Sequence, residues 1–182
     1  EWKFSFANIA TQSEFSPGMG YVRRPGEMMN KAVVQWKPLP DNSAVRQYDF
    51  MVAPEVWTNL DGDLISSTLR LGLFGAEFQD GTSIKFHTKI MRDRPDSDYE
   101  VADSVTMSAG DYSWMEHMLK YSTSTRETWS YGTYLSGGQY YDGSIIKLNT
   151  DLTYRPSVSS KIQLSYSENR GHLPAGDFTT RV

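Results

Sequence analysis

The chain has 182 residues, of which 38% are hydrophobic and 22% charged, and its formal net charge is −4. This net negative charge argues against nucleic-acid binding, and so does the scattering of Lys and Arg, which form no basic stripe. The absence of cysteine excludes disulfides and thiolate metal sites.

Apolar and polar residues alternate with a period of two along most of the chain, which indicates strands. The clearest strand covers residues 146–155, and the next, after a turn at 156–160, covers 161–167. Weaker versions of the pattern occur upstream, and a last strand starts at Phe178. We therefore predict one all-β unit over residues 1–182, with about ten antiparallel strands joined as up-and-down hairpins. In chain order the predicted strands lie near residues 2–9, 31–36, 47–52, 69–73, 83–90, 112–122, 128–135, 146–155, 161–167 and from 178.

The connections fall into two classes that alternate along the chain. Short ones lie near residues 38–44, 75–82, 123–127 and 156–160. Longer or Gly/Asp-rich ones lie near 10–30, 92–109, 137–143 and 169–177, with 58–63 as a short member. This arrangement is typical of a transmembrane β-barrel with short turns on one side of the membrane and loops on the other. Predicted strand lengths of about 8–12 residues suit a tilted crossing.

In this interpretation one face of each strand meets lipid and the other lines a polar lumen. The predicted lipid-facing residues are Ile146, Leu148, Leu152, Ile162, Leu164 and Tyr166. The predicted lumen residues are Lys147, Asn149, Asp151, Lys161 and Gln163. A soluble β-sandwich or barrel gives the same alternation and stays open as the alternative. Aromatic residues near strand ends favour the membrane, where they would form an interfacial girdle: Trp57, Trp114, Tyr121, Trp129 and Tyr154.

Three turn-rich stretches, residues 15–26, 137–144 and 175–181, resemble the C-terminal barrel region of a bacterial family described as domain of unknown function 5916. Members of that family place a domain similar to carbohydrate-binding module family 9 ahead of the membrane region. The resemblance implies a bacterial outer-membrane location and a late portion of a longer polypeptide, truncated at both ends. It supplies no catalytic residues.

Two loops carry candidate binding residues. Asn59, Asp61 and Asp63 offer closely spaced oxygen ligands around a glycine, as calcium loops do, although a plain Asp-Gly hairpin turn is the favoured explanation. Gln139, Tyr140 and Tyr141 offer aromatic faces on which a sugar could stack. Calcium is the only cofactor these patterns suggest.

No nucleophile elbow, Walker loop or dinucleotide motif is present, so the sequence predicts no enzyme. The expected function is a structural role or passive transport and docking, with saccharides as the candidate solute. The expected partners are the lipid bilayer and further strands, from the same polypeptide or from another chain. The alternatives are a soluble β-rich carbohydrate-binding module and a hydrolase with unrecognised carboxylates.

Overall fold

The computed structural model describes residues 1–15, 25–41, 44–102 and 105–182. These residues form thirteen β-strands and no helix, which confirms an all-β fold. The strands are β1 Trp2–Ala10, β2 Glu27–Trp36, β3 Val45–Tyr48, β4 Phe50–Asn59, β5 Leu64–Phe78, β6 Ser83–Asp93, β7 Tyr99–Ala102, β8 Val105–Met107, β9 Tyr112–Ser122, β10 Trp129–Tyr140, β11 Gly143–Ser157, β12 Ser160–Leu173 and β13 Gly176–Arg181.

An 11-stranded antiparallel sheet contains every strand except β7 and β8, which pair with each other. Its order is β1-β2-β4-β5-β6-β9-β10-β11-β12-β13, with β3 paired to the far end of β5. Apart from β3 and the separate β7–β8 pair, neighbours in the sheet are thus neighbours in sequence, as the hairpin prediction requires. Within the described ranges the sheet is open, since β1 pairs only with β2 and β13 only with β12.

Two connections are much tighter than predicted. The stretch 137–143 contains only Tyr141 and Asp142 between β10 and β11, and Tyr141 has a φ of 52°. The stretch 169–177 likewise contains only residues 174–175 between β12 and β13. Glycines in these stretches suggested loops, but the strands continue through them. The other predicted long connections, near 10–30 and 92–109, correspond to residues 11–26 and 94–111, and the second of these contains β7 and β8. Residues 16–24, which make up most of the first resembling stretch, lie outside the described part.

Several strands are longer than predicted, above all β5, β11 and β12. β5 and β11 each have 15 residues and β12 has 14. The predicted strand at 47–52 is instead split at Asp49, whose backbone N–H donates to the carbonyl of Gly75. The register of β5 against β6 also shifts between Gly72 and Phe74, so the predicted alternation of Leu69, Leu71 and Leu73 holds only as far as Leu71.

The registers divide the side chains of the large sheet into two faces, which we call the apolar face and the polar face. On the apolar face Leu135 lies between Leu119 and Leu148, and Leu152 lies opposite Leu164. Further members of this face are Phe4, Phe6, Val34, Val52, Phe86, Ile90, Ile146 and Ile162.

On the polar face the same registers align charged and polar residues of neighbouring strands. Lys89 lies opposite Glu116, and Lys147 lies between Ser136 and Asn169. Lys31 lies opposite Glu55. The two faces therefore differ in chemistry across the whole width of the sheet.

At the centre of the sheet, the exposure of the two faces is the reverse of that in a water-soluble sheet. Leu135 and Leu119 on the apolar face are 44% and 38% exposed, whereas Glu116 and Ser136 on the polar face are both 2% exposed. Side chains converge on the concave side of a curved sheet, so this difference indicates curvature toward the polar face.

Aromatic rings line one edge of the apolar face. Trp2 stacks on Trp36 at 5.9 Å between ring centroids, and Trp36 stacks on Phe50 at 5.4 Å. Farther along the same edge Trp129 stacks on Tyr154 at 4.2 Å. This set, together with Tyr121 and Tyr131, is called the aromatic row below.

The aromatic row contains only part of the predicted girdle. Tyr121, Trp129 and Tyr154 belong to it, as expected. Trp57 and Trp114 do not, because their positions in β4 and β9 place them on the polar face. Trp114 is buried.

The β7–β8 hairpin covers the polar face at the end opposite the aromatic row. Val105 and Met107 of β8 pack with Leu173 of β12 in a buried cluster, against which Phe178 also packs. Leu173 and Phe178 lie on the polar face according to the β12–β13 register. The long connection between β6 and β9 is therefore folded inward rather than extended into solvent.

Candidate functional site

The centre of the polar face holds a buried carboxylate with its own partners. Glu116 of β9 accepts a hydrogen bond of 2.6 Å from the hydroxyl of Ser136 and one of 3.3 Å from the Lys147 ammonium. Lys89 lies opposite Glu116 in the neighbouring strand. A buried charge is costly unless it is paired, and these partners offset the cost of burying the Glu116 carboxylate.

The backbone beside Glu116 is shaped by a glycine. Gly138 lies opposite Glu116 in β10 and has a φ of 150°. A Cβ atom at this position would lie 2.4 Å from the backbone oxygen of Met115. The close approach of β9 and β10 at the buried carboxylate therefore requires glycine.

Charge pairs continue across the polar face toward β1. The Lys31 ammonium lies 2.8 Å from a carboxylate oxygen of Glu55, and the indole N–H of Trp57 donates to the other oxygen at 3.0 Å. These groups are spread over several strands instead of converging on one point. Such a lining supports a polar passage better than a catalytic centre, which requires groups within reach of one reacting atom.

An aromatic cluster connects the polar face with the β7–β8 hairpin. Tyr141 lies at its centre, 4.5 Å from the ring of Trp114 and 5.2 Å from that of Tyr112. Its hydroxyl donates to Asp93 at 2.9 Å, and burial raises the pKa of that hydroxyl well above its usual range. Tyr141 therefore ties the β10–β11 turn to the end of β6.

The predicted sugar-stacking residues are divided between the faces. Tyr140 and Tyr141 lie together at 4.8 Å, and both are half-buried. Gln139 is exposed and lies on the apolar side of β10, because strand residues alternate in direction. The three residues do not form one platform.

A shallow hollow beside Tyr141 was not predicted from the sequence. It has a volume of about 180 Å³ and is lined by Trp114, Tyr141, Asp93, Arg92 and Thr68, among others. The indole N–H of Trp114 is buried and has no hydrogen-bond partner among the described residues. Only the alternation within β9 could have indicated that Trp114 faces inward.

The predicted calcium residues form a self-contained turn between β4 and β5. The Asn59 side-chain oxygen accepts from the backbone N–H of Asp63 at 2.7 Å, and the Asn59 amide donates to the Asp63 carboxylate at 2.9 Å. Gly62 has a φ of 96°, and Asp61 is exposed. Within the described ranges no group of three His, Cys, Asp or Glu side chains could hold a metal ion. The oxygens of Asn59 and Asp63 already serve to close the turn.

No helix that could span a membrane occurs in the described part of the chain. Comparison with known protein families, with curated proteins and with solved structures gave no match. The function is therefore argued from the two faces of the sheet and from the groups on them.

Proposed function

We propose that this chain forms part of the wall of a bacterial outer-membrane β-barrel, with a structural role or a passive role in the passage and docking of solutes. The observation that carries this proposal is the exposure of the two faces. Water drives apolar side chains inward, yet at the centre of the sheet Leu135 is 44% exposed while Glu116 is 2% exposed. Lipid on the outside and water on the inside would reverse the usual preference in this way.

The dimensions and edges of the sheet support the same role. A tilted crossing needs about 9–11 residues, and β6 and β9, at the centre of the sheet, have 11 each. The aromatic row is what the membrane–water interface favours. The outer edges of β1 and β13 have no strand partner among the described residues, so closure would use further strands of the same polypeptide or a partner chain.

The test is extraction of the full-length protein from membranes with and without detergent, followed by electrophoresis with and without heating. A closed membrane barrel needs detergent for extraction and migrates faster when it is not heated. A protein that is released without detergent and whose mobility is unchanged by heating would overturn the proposal. In that case a soluble β-rich carbohydrate-binding module would be the better interpretation.

A second role, docking of a saccharide, is favoured by the hollow beside Tyr141. Aromatic rings pack on the apolar faces of sugars, and polar groups around them fix the hydroxyls. Trp114 and Asp93 lie among the lining residues of this hollow, and the buried indole N–H of Trp114 has no hydrogen-bond partner among the described residues. This role extends the membrane proposal and does not replace it.

The matched test uses Trp114→Phe, which keeps a ring but removes the N–H, and Trp129→Phe at the aromatic row as its control. Binding of a panel of neutral oligosaccharides to the detergent-solubilised full-length protein would be measured by calorimetry. Loss of about tenfold in affinity for Trp114→Phe alone supports docking at this hollow, because it removes one hydrogen bond of about 1 kcal/mol or more. Equal binding by both variants, or no binding by the unaltered protein, contradicts it.

A further inference from the structure

A second pocket lies on the polar face near the end that carries the aromatic row. It has a volume of about 290 Å³, and its charged lining residues are Lys37, Lys85, Lys120, Asp49 and Glu77. The lining residues come from β3, β5, β6 and β9 and from the segments that flank β3. The pocket therefore forms where β3 extends the sheet beside β5.

Both carboxylates of this pocket are already paired. Asp49 lies 2.6 Å from the Lys85 ammonium and accepts a further hydrogen bond of 2.6 Å from the amide of Gln35. Glu77 is paired with the guanidinium of Arg46. Neither acid has to be neutralised by another cation.

Two ammonium groups remain. Lys37 and Lys120 form no ion pair with a carboxylate anywhere in the described ranges. Both line the same pocket, on opposite sides of the Asp49–Lys85 pair in the strand order. The lining residues alone carry three cations and two carboxylates, and the excess rises to two cations when Arg46, the partner of Glu77, is counted. An excess of positive charge attracts an anion, and the attraction increases when the pocket is partly enclosed.

Hydroxyl groups complete the lining. Ser83 and Ser122 lie 2.9 Å apart through their side-chain oxygens, and both belong to the pocket. One hydroxyl hydrogen is used between the two serines, which leaves the other free to donate. Hydroxyl and ammonium donors together match the oxygens of a phosphate or carboxylate group.

We propose that this pocket binds a small anion through a phosphate or carboxylate group held by Lys37 and Lys120. The site goes beyond the barrel role. It does not depend on lipid contact, because its charged residues belong to the polar face or to the segment between β2 and β4. Failure of the membrane proposal would leave it intact.

The test is equilibrium dialysis of the full-length protein, in detergent micelles, against radiolabelled inorganic phosphate and, separately, labelled succinate. Sodium chloride keeps the ionic strength constant. The variant K37Q/K120Q removes both excess cations, and K161Q removes one cation from β12, far from the pocket in the strand order. A far-UV circular dichroism spectrum of each variant confirms that the sheet is retained.

We expect saturable binding of at least one probe, with about tenfold or greater loss in K37Q/K120Q, since each charge-assisted contact contributes strongly. K161Q should bind within about twofold of the unaltered protein, as screened distant charges do. The relative affinities of phosphate and succinate identify the preferred group. Binding that never saturates, or that K161Q weakens as much as the double variant, overturns the proposal.

Discussion

Single residues decide how close neighbouring strands can come at the centre of the sheet. Gly138 permits β10 to approach the backbone of Met115, where any side chain would collide. Gly132, six residues earlier in β10, has no atom within 4 Å of the position a Cβ would occupy. Two glycines in one strand therefore have different physical reasons for being there, and this difference is visible only in the packed structure.

The first prediction concerns these two glycines. Gly138→Ala should destabilise the folded protein by about 1–3 kcal/mol, because it adds a steric clash to a strained backbone conformation. Gly132→Ala should change the free energy of unfolding by no more than about 0.5 kcal/mol. Urea unfolding in detergent micelles measures both, and equal effects of the two substitutions would contradict the strand geometry.

At the scale of an element, the two faces of a strand carry side chains of different polarity. Leu135 lies on the apolar face of β10, between Leu119 and Leu148, and is 44% exposed. In a water-soluble protein an exposed leucine tolerates a charged replacement. In a bilayer the same position would have no water to solvate the charge.

The second prediction follows from that contrast. Leu135→Arg should destabilise a lipid-embedded sheet by about 2–4 kcal/mol if the position is near the bilayer midplane. The control is Gln163→Arg on the polar face of β12, which should stay within about 0.5 kcal/mol. Unfolding titrations in lipid vesicles measure both variants. Tolerance of Leu135→Arg would favour a soluble sheet.

The β7–β8 hairpin is fastened at its base by a charge cluster at the end of β6 and in the connection to β9. Asp111 accepts hydrogen bonds of 2.8 and 2.6 Å from Arg92 and one of 2.8 Å from Arg94. These hydrogen bonds, above all those from Arg92, hold the pKa of the Asp111 carboxyl below its usual range. A detached hairpin would therefore take up a proton at Asp111 before the fastened one does.

The third prediction is the pH dependence of this anchor. A lowered pKa in the folded state means that the anchor is intact above the ordinary aspartate pKa of about 4 and weakens as the pH falls through the folded value. Amide exchange at Gly110, whose N–H donates to the carbonyl of Pro95, reports the state of the hairpin base. After correction for the intrinsic exchange rate, its protection should fall at acidic pH.

Two variants distinguish the loss of the Asp111 contacts from unspecific destabilisation of the protein at low pH. Asp111→Asn should lower the protection of Gly110 already at neutral pH. Asp96→Asn should not, since Asp96 bonds only to the neighbouring Ser97 within the described ranges. Unchanged protection in Asp111→Asn at neutral pH would show that the cluster does not hold the hairpin.

At the scale of the whole molecule, the sheet has two open edges and one exposed apolar face. β1 carries strongly exposed aromatic residues on its apolar face, among them Phe4 and Phe6, which are 69% and 72% exposed. Unpaired strand edges beside such residues promote association with other chains. Stability of the sheet by itself in water is therefore not expected.

The fourth prediction is that these 182 residues, produced alone in aqueous buffer, do not form a well-folded monomer. Size-exclusion chromatography with light scattering should detect aggregates or oligomers, and detergent should restore a β-rich spectrum. The physical reason is that the unpaired edges can pair with other chains and that water drives exposed apolar surfaces together. A stable, detergent-independent monomer would contradict the membrane proposal.

Most strands of the large sheet and their antiparallel pairing could be predicted from the sequence, because side chains alternate with a period of two along an extended chain. The β7–β8 hairpin was predicted as a loop, and β3 and β4 were predicted as one strand. Residues 146–155 illustrate this, since the faces predicted for Ile146 and Lys147 agree with the register of β11. Loop lengths were less predictable. Glycines at 137–138 and 171 suggested loops, but they serve close strand contacts, which depend on the neighbouring strand.

The candidate sites depended still more on tertiary structure. Asn59 and Asp63 were recognisable from the sequence as oxygen ligands, but only the turn geometry reveals that they form hydrogen bonds with each other. Glu116, Trp114 and the pocket of Lys37 and Lys120 combine residues from strands far apart in sequence. The local alternation determined by the sequence fixes which face a side chain occupies, whereas pairing between distant strands decides which side chains meet on that face.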